Sequence, residues 1–181
     1  AYLTDLEQEP SRREIAEMTD ALTTNKTSFL REATHFDYLR DAVFPQLDGP
    51  VRIWSAGCSS GEEPYTLAML CQESFGSSNA RDVKILATDI SHRVLATAKA
   101  GVYPADGMQD VPSAWLQKYW ARRSEASGRA VYEAQPALRR LVHFAKLNLM
   151  EQWPMRGPFD AILCRNVMIY FAKATQQQLV E

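Results

Sequence analysis

Two adjacent carboxylates, Glu62 and Glu63, follow a run of small residues, Gly57-Cys58-Ser59-Ser60-Gly61, and a third acid, Asp89, closes an apolar run further along. Small residues let a backbone come close to a ligand, and glycine does so without steric cost. An aspartate at the end of a buried strand is able to accept the hydroxyl hydrogens of an adenosine ribose. That arrangement suits NAD, FAD and S-adenosylmethionine alike, and the small-residue run does not match G-x-G-x-x-G. The glutamate pair discriminates. A pyrophosphate binds where a helix N-terminus offers N–H groups and positive potential, and two carboxylates there would repel it. S-adenosylmethionine carries a sulfonium and an ammonium and no phosphate, so the pair favours it. A plainer role, stabilising the positive end of a helix dipole by about 0.3–1 kcal/mol each, is open to either glutamate without restoring the dinucleotide.

Other reactive patterns are weak. His35, His92 and His143 stand apart, with no spacing for a metal site. The cysteines (Cys58, Cys71 and Cys164) lack an activating neighbour, and no Ser-His-Asp order emerges. A carboxylate acceptor would need no base, because a glutamate ionises near a pKa of about 4.3. Such a transfer needs alignment and partial loss of water from the nucleophile. Arg31, after Thr27-Ser28-Phe29-Leu30, is able to hold a carboxylate, with a surface ion pair as the equal alternative. Tyr170, in Asn166-Val167-Met168-Ile169-Tyr170-Phe171, is able to line a transfer site, with a core position as its alternative.

The elements that must position these residues follow from apolar periodicity. Val51–Ala56 reads as a strand, followed by a turn over 57–61 and a helix from Pro64 to Phe75 with the proline at its first position. Val83 to Thr88 reads as a second strand ending at Asp89, with a helix around Val94, Leu95 and Ala98 before Gly101. Leu141–Leu147 and Phe159–Cys164 supply two further strands. Ahead of these, one helix is predicted over 11–22 and a second from Phe29 to Phe44, stopping before Pro45. Strands alternating with helices imply an α/β, Rossmann-like domain with a parallel sheet. Residues 103–140 break the rhythm, being too long for an ordinary connection. They hold a helical piece near Trp115–Trp120 and pieces suited to a small antiparallel hairpin turning near Ser127-Gly128. Substrate contacts from this insertion and a purely structural excursion are equally supported.

Composition sets the frame. With 181 residues, 46% hydrophobic and 23% charged, the chain is long enough for one folded domain with a real core. A net charge of -2 gives no overall drive toward nucleic acid. No apolar run approaches the roughly 18–20 residues of a membrane span, and the first residues do not read as a secretory signal. Three cysteines without a CxxC pair then suit a cytoplasmic, reduced setting.

Taken together, the chain resembles the chemotaxis receptor methyltransferases, the CheR family. The matching segments are Ala21-Leu22-Thr23-Thr24-Asn25 through Phe29-Leu30-Arg31-Glu32 and His35-Phe36; Ile53-Trp54-Ser55-Ala56 through Gly61-Glu62-Glu63-Pro64-Tyr65; Ala87-Thr88-Asp89-Ile90; Asn148-Leu149; and Phe159-Asp160-Ala161-Ile162 through Cys164-Arg165-Asn166-Val167-Met168-Ile169-Tyr170-Phe171. The Arg-Asn-Val-Met-Ile-Tyr-Phe run is the most specific. The resemblance implies a cytoplasmic enzyme with a class I methyltransferase sheet, esterifying glutamates on the signalling helices of chemoreceptors, with no nucleic acid partner and no membrane insertion. It implies that Asn25, Thr27, Arg31, Glu63, Asp89, Asn148, Leu149, Arg165 and Asn166 contact S-adenosylmethionine and its product S-adenosylhomocysteine, with Arg31 and Tyr170 nearest the reacting methyl. It implies that 103–140 forms an inserted β-subdomain, which in some members docks a receptor C-terminal peptide. Residues 23–181 would be the methyltransferase domain, and 1–22 the remnant of a basic helical domain and linker. The family's sheet continues beyond the fourth strand, so that strand is expected at an exposed edge here, with the sheet truncated at the C-terminus.

Overall fold

A computed structural model describes residues 14, 17, 18, 20, 21, 25–76, 81–125 and 127–180. Those described between 14 and 21 are helical, as the sequence predicts for that stretch. The core is a four-stranded parallel sheet built from β1 (Val51–Ala56), β2 (Val83–Asp89), β6 (Val142–Lys146) and β7 (Ala161–Leu163), in the order β6-β2-β1-β7. β1 is buried at every position but Arg52, and β2 at every position but Lys84 and Leu86, as befits central strands of a parallel sheet.

Helix α2 (Glu62–Phe75) follows β1 and is buried from Pro64 to Gln72. It opens two residues earlier than predicted, so Pro64 sits at its third position rather than its first. Both positions lie in the first turn, where a missing N–H breaks no intrahelical bond. Gly61 caps this helix at φ 100°. A Cβ there would lie 2.7 Å from the Tyr103 hydroxyl and 2.9 Å from the Ala98 Cβ, so only glycine fits the turn. Helix α3 (His92–Ala100) is capped by the Ser91 hydroxyl, which accepts from the Val94 N–H at 3.3 Å.

The insertion forms a second, antiparallel sheet from β3 (Val102–Pro104), β4 (Trp120–Ser124) and β5 (Ala130–Ala134), in the order β3-β5-β4, with helix α4 (Ser113–Tyr119) leading into β4. The predicted hairpin is therefore present, with one strand more than expected. This sheet packs on α2. Trp120 donates its indole N–H to the Met69 sulfur, and Lys118 reaches Glu73 at 2.8 Å. Phe29, Tyr65, Tyr103 and Trp120 meet edge to face, with ring centroids 5.0–6.0 Å apart, which locks the insertion, α2 and the chain around Phe29 together.

The predicted helix from Phe29 to Phe44 is the clearest departure. Residues 29–33 form turns, with Leu30 at φ 53° and Glu32 at φ 56°, a left-handed conformation that no helix tolerates. The helix α1 runs only from Thr34 to Tyr38, continues as a π-turn over Leu39–Val43 and ends in a 3-10 turn over Phe44–Gln46, which includes Pro45. Burial of Phe29 at 1% exposure in the aromatic cluster overrides the helical periodicity of this stretch.

Candidate active site

The chain order of the strands reverses between β1 and β7, the place where open α/β sheets bind their ligands. A cavity of about 440 Å³ lies there, at the carboxyl ends of the strands. Every residue expected to contact the cofactor or the reacting methyl lines it. Asn25, Thr27 and Arg31 come from the segment ahead of α1, Glu63 from the first turn of α2, and Asp89 from the end of β2. Asn148 and Leu149 follow β6, while Arg165, Asn166 and Tyr170 follow β7. Residues far apart in the chain thus meet because four parallel strands deliver their following loops to one edge.

The glutamate pair divides. Glu62 is turned from the cavity, and the Ser60 hydroxyl lies 2.8 and 3.0 Å from its two carboxylate oxygens. Glu63 faces the cavity with its side chain 14% exposed. Burial pushes its pKa up, while the Ser55 hydroxyl, donating at 2.7 Å, and the Arg165 guanidinium, donating at 3.1 Å, pull it back. Glu62 is raised by burial as well. Asp89, 8% exposed, is also raised by burial, opposed by backbone N–H groups. Ser91 N donates to its Oδ1 at 3.0 Å and Ser59 N to its Oδ2 at 2.8 Å. Asp89 therefore also ties the turn after β1 to the end of β2, while its remaining lone pairs stay free to accept.

Gly57, at φ 76°, serves a purpose the sequence does not suggest. A Cβ on it would lie 2.2 Å from Val167 Cγ2, so the missing side chain makes room for the chain after β7 as well as for a ligand. Burial, followed by the charges of Asp89 and Glu63, holds the Cys58 thiol well above its usual pKa, which disqualifies it as a nucleophile in this wall.

Arg165 is the centre of a cross-chain network. It donates to Glu63 Oε2, to Glu32 Oε2 at 3.1 Å and to the Arg31 carbonyl, and its guanidinium lies 5.1 Å from the centre of the Phe36 ring. Among the described residues its buried Nε has no hydrogen-bond partner. Arg31 donates to the Lys26 carbonyl at 2.6 Å and lies 3.9 Å from Glu32, so part of its charge is left for the cavity. Tyr170, on a 3-10 turn over Met168–Tyr170, is 63% exposed at the cavity wall, which removes the core alternative for it.

Sequence reasoning missed Lys26, Ile90, Leu147, Met150, Val167 and Phe171, which also line the cavity. Each lies within two residues of a residue that was found, so adjacency was the available signal. The insertion contributes no described residue to the lining and braces the site from behind, through a 2.7 Å hydrogen bond from the Tyr103 hydroxyl to the Ser60 carbonyl. The insertion meets α2 through Trp120 and Met69.

The donor set suits a cationic nucleoside better than a pyrophosphate. Two carboxylates, the buried Asp89 and the largely buried Glu63, face the space alongside the amides of Asn25, Asn148 and Asn166 and the apolar Leu149 and Phe171. The charge of Arg165 is already met by Glu63 and Glu32. Among the described residues, no group of acids, histidines and cysteines is arranged to hold a metal ion, and no helix is long and apolar enough to cross a membrane.

Comparison with known proteins agrees with this geometry. The family model described as "CheR methyltransferase, SAM binding domain" matches residues 25–181. A chemotaxis protein methyltransferase of Borreliella burgdorferi is 41% identical over 188 residues, covering 98% of this chain and 65% of the relative. Chemotaxis protein methyltransferase 2 of Pseudomonas aeruginosa is 43% identical over 186 residues, covering 99% and 64%. The chemotaxis protein methyltransferase of Escherichia coli is 39% identical over 180 residues, covering 99% and 62%. The chain spans somewhat less than two thirds of the length of these relatives.

Proposed function

Since the chain belongs to the CheR methyltransferase family, we propose that it binds S-adenosylmethionine in the strand-end cavity and carries its methyl group to glutamate side chains on the cytoplasmic signalling helices of chemoreceptors. The products would be glutamyl methyl esters and S-adenosylhomocysteine. The observation that carries this reading is the convergence of ten motif residues from five separate segments on one cavity, with the buried Asp89 and the largely buried Glu63 facing in.

When bound, the cofactor supplies an electrophilic methyl on a positively charged sulfur. In this reading Asp89 accepts from the ribose hydroxyls with the lone pairs left free by Ser59 and Ser91. Glu63, Asn25, Thr27, Asn148, Leu149, Arg165 and Asn166 complete the cofactor contacts from the surrounding wall. Arg31 and Tyr170 stand at the transfer end, where Arg31 holds the incoming carboxylate by charge and Tyr170 by its hydroxyl. The acceptor arrives ionised, so no general base is required, and alignment with partial loss of water drives the transfer.

Residues 23–181 form the methyltransferase domain in this reading, working in the cytoplasm. Among the described residues β4 has one side unpaired, suited to adding an extended receptor peptide as a further strand. A calorimetric titration with S-adenosylhomocysteine and, separately, NADH tests the cofactor assignment. Saturable binding of the first alone supports the reading. Preference for NADH, or no binding of S-adenosylhomocysteine by a folded sample, refutes it. Methylation of receptor in the whole protein should give a base-labile product that releases methanol; a base-stable product would exclude a carboxyl ester.

A further inference from the structure

Glu32 stands outside the cavity lining, yet it is where two walls of the site meet. Its Oε2 accepts from Arg165 Nη2 at 3.1 Å and its Oε1 from Asn166 Nδ2 at 3.2 Å. It also lies 3.4 Å from His35 Nδ1 and 3.9 Å from Arg31 Nε. The segment ahead of α1, which supplies Asn25, Thr27 and Arg31, belongs to neither sheet. Hydrogen bonds that hold it to the domain include Leu30 N to the Thr66 hydroxyl, the Ser59 hydroxyl to the Asn25 carbonyl, Arg165 to the Arg31 carbonyl, and the two bonds to Glu32. Glu32 and its partner Asn166 are both left-handed, each at φ 56°. Non-glycine residues hold that conformation when their surroundings over-determine it, and such strain gathers at binding sites. Arg165 and Asn166 draw the Glu32 carboxyl below its ordinary pKa, so it bridges as an anion at neutral pH.

We propose that Glu32 is a positioning residue: its carboxylate joins the segment bearing Arg31 to Arg165 and Asn166, fixing the spacing of the two walls that close on the cofactor. It acts through these neighbours rather than by touching the ligand. This inference rests on the cofactor reading above.

The test is a double-mutant cycle in S-adenosylhomocysteine binding, followed by calorimetry, using Glu32→Gln, Asn166→Ala and the double variant, with thermal unfolding of each. Glu32→Gln should weaken binding about fivefold to tenfold with an unchanged melting temperature, because an exposed side chain contributes little to overall stability. The double variant should lose clearly less than the product of the single losses, a coupling that a structural role elsewhere would not produce. Affinity within twofold of wild type for Glu32→Gln, or fully multiplicative losses, overturns the inference. If Glu32→Gln does not fold, Glu32→Asp replaces it: the shorter carboxylate cannot span both partners, so the same weakening is expected and unchanged affinity is refuting. A folded wild-type chain that does not bind S-adenosylhomocysteine removes the cofactor reading and this inference together. Wild-type binding with an unaffected Glu32→Gln removes the inference alone.

Discussion

Replacing Asp89 with Asn separates the two roles that the structure gives this residue. The side chain keeps its shape, but an amide has one accepting oxygen where the carboxylate has two. Asp89 accepts from Ser91 N at 3.0 Å and from Ser59 N at 2.8 Å, one bond to each oxygen. Whichever way the amide turns, one backbone N–H then faces an NH₂ group. Losing a charge-assisted hydrogen bond at a site this buried costs about 1.5–3 kcal/mol. In a chain of this size each kcal/mol lowers the melting temperature by about 2–4 °C. Burial already disfavours the Asp89 carboxylate, so removing its charge returns part of the cost, and a fall of about 3–7 °C is expected. The ligand loses an anionic acceptor as well, so affinity for S-adenosylhomocysteine should weaken about 10–100-fold. Thermal unfolding followed by fluorescence and titration calorimetry read the two effects separately. An unchanged melting temperature would refute the tethering role. A folded variant binding within twofold of wild type would take Asp89 out of the ribose contact.

Three further expectations follow from the same site. Burial raises Glu62, Glu63 and Asp89, so the folded state holds their protons more tightly than the unfolded chain; these groups make the ligand-free protein more stable as pH falls through their folded pKa values toward the ordinary 4.5 of glutamate and 3.8 of aspartate. Binding of S-adenosylmethionine should weaken over the same descent, since Glu63 and Asp89 meet it as anions, and calorimetry from neutral pH down to the ordinary 4.5 of glutamate that shows no such weakening would refute the contact role of these two. Gly57→Ala meets both left-handed strain, about 1–2 kcal/mol, and overlap with Val167, so the melting temperature should drop by about 4 °C or more; adding Val167→Ala should recover the overlap part, and a Gly57→Ala protein as stable as wild type would contradict the packing. Tyr170→Phe, at an exposed position, should shift stability by about 0.5 kcal/mol or less while lowering kcat about 10–100-fold at constant KM for S-adenosylmethionine; an unchanged kcat in the whole enzyme would dismiss Tyr170 from the transfer step.

Much of the site was legible without coordinates. The order of strands, the small-residue turn and the acid at the end of β2 are local patterns, and in a parallel sheet strand ends necessarily share one edge. Residues taken from those ends therefore converge, as Glu63, Asp89, Asn148 and Arg165 do. The chemistry of adjacent Glu62 and Glu63 likewise argued against a pyrophosphate before any geometry was known.

What tertiary structure alone decided concerns partners rather than positions. Identical neighbours in sequence, Glu62 and Glu63 diverge because successive helical residues point about 100° apart, sending one toward Ser60 and the other into the cavity between Ser55 and Arg165. The helical periodicity of residues 29–44 yields at Leu30 and Glu32, where burying Phe29 among Tyr103 and Trp120 outweighs local preference. The seat of the insertion on α2, through Trp120 and Met69, is likewise set by packing between distant segments. Glu32 and Arg165 stand 133 residues apart: local sequence reports turn, strand and helix, whereas the choice of a hydrogen-bond partner across that distance is made by the packed fold.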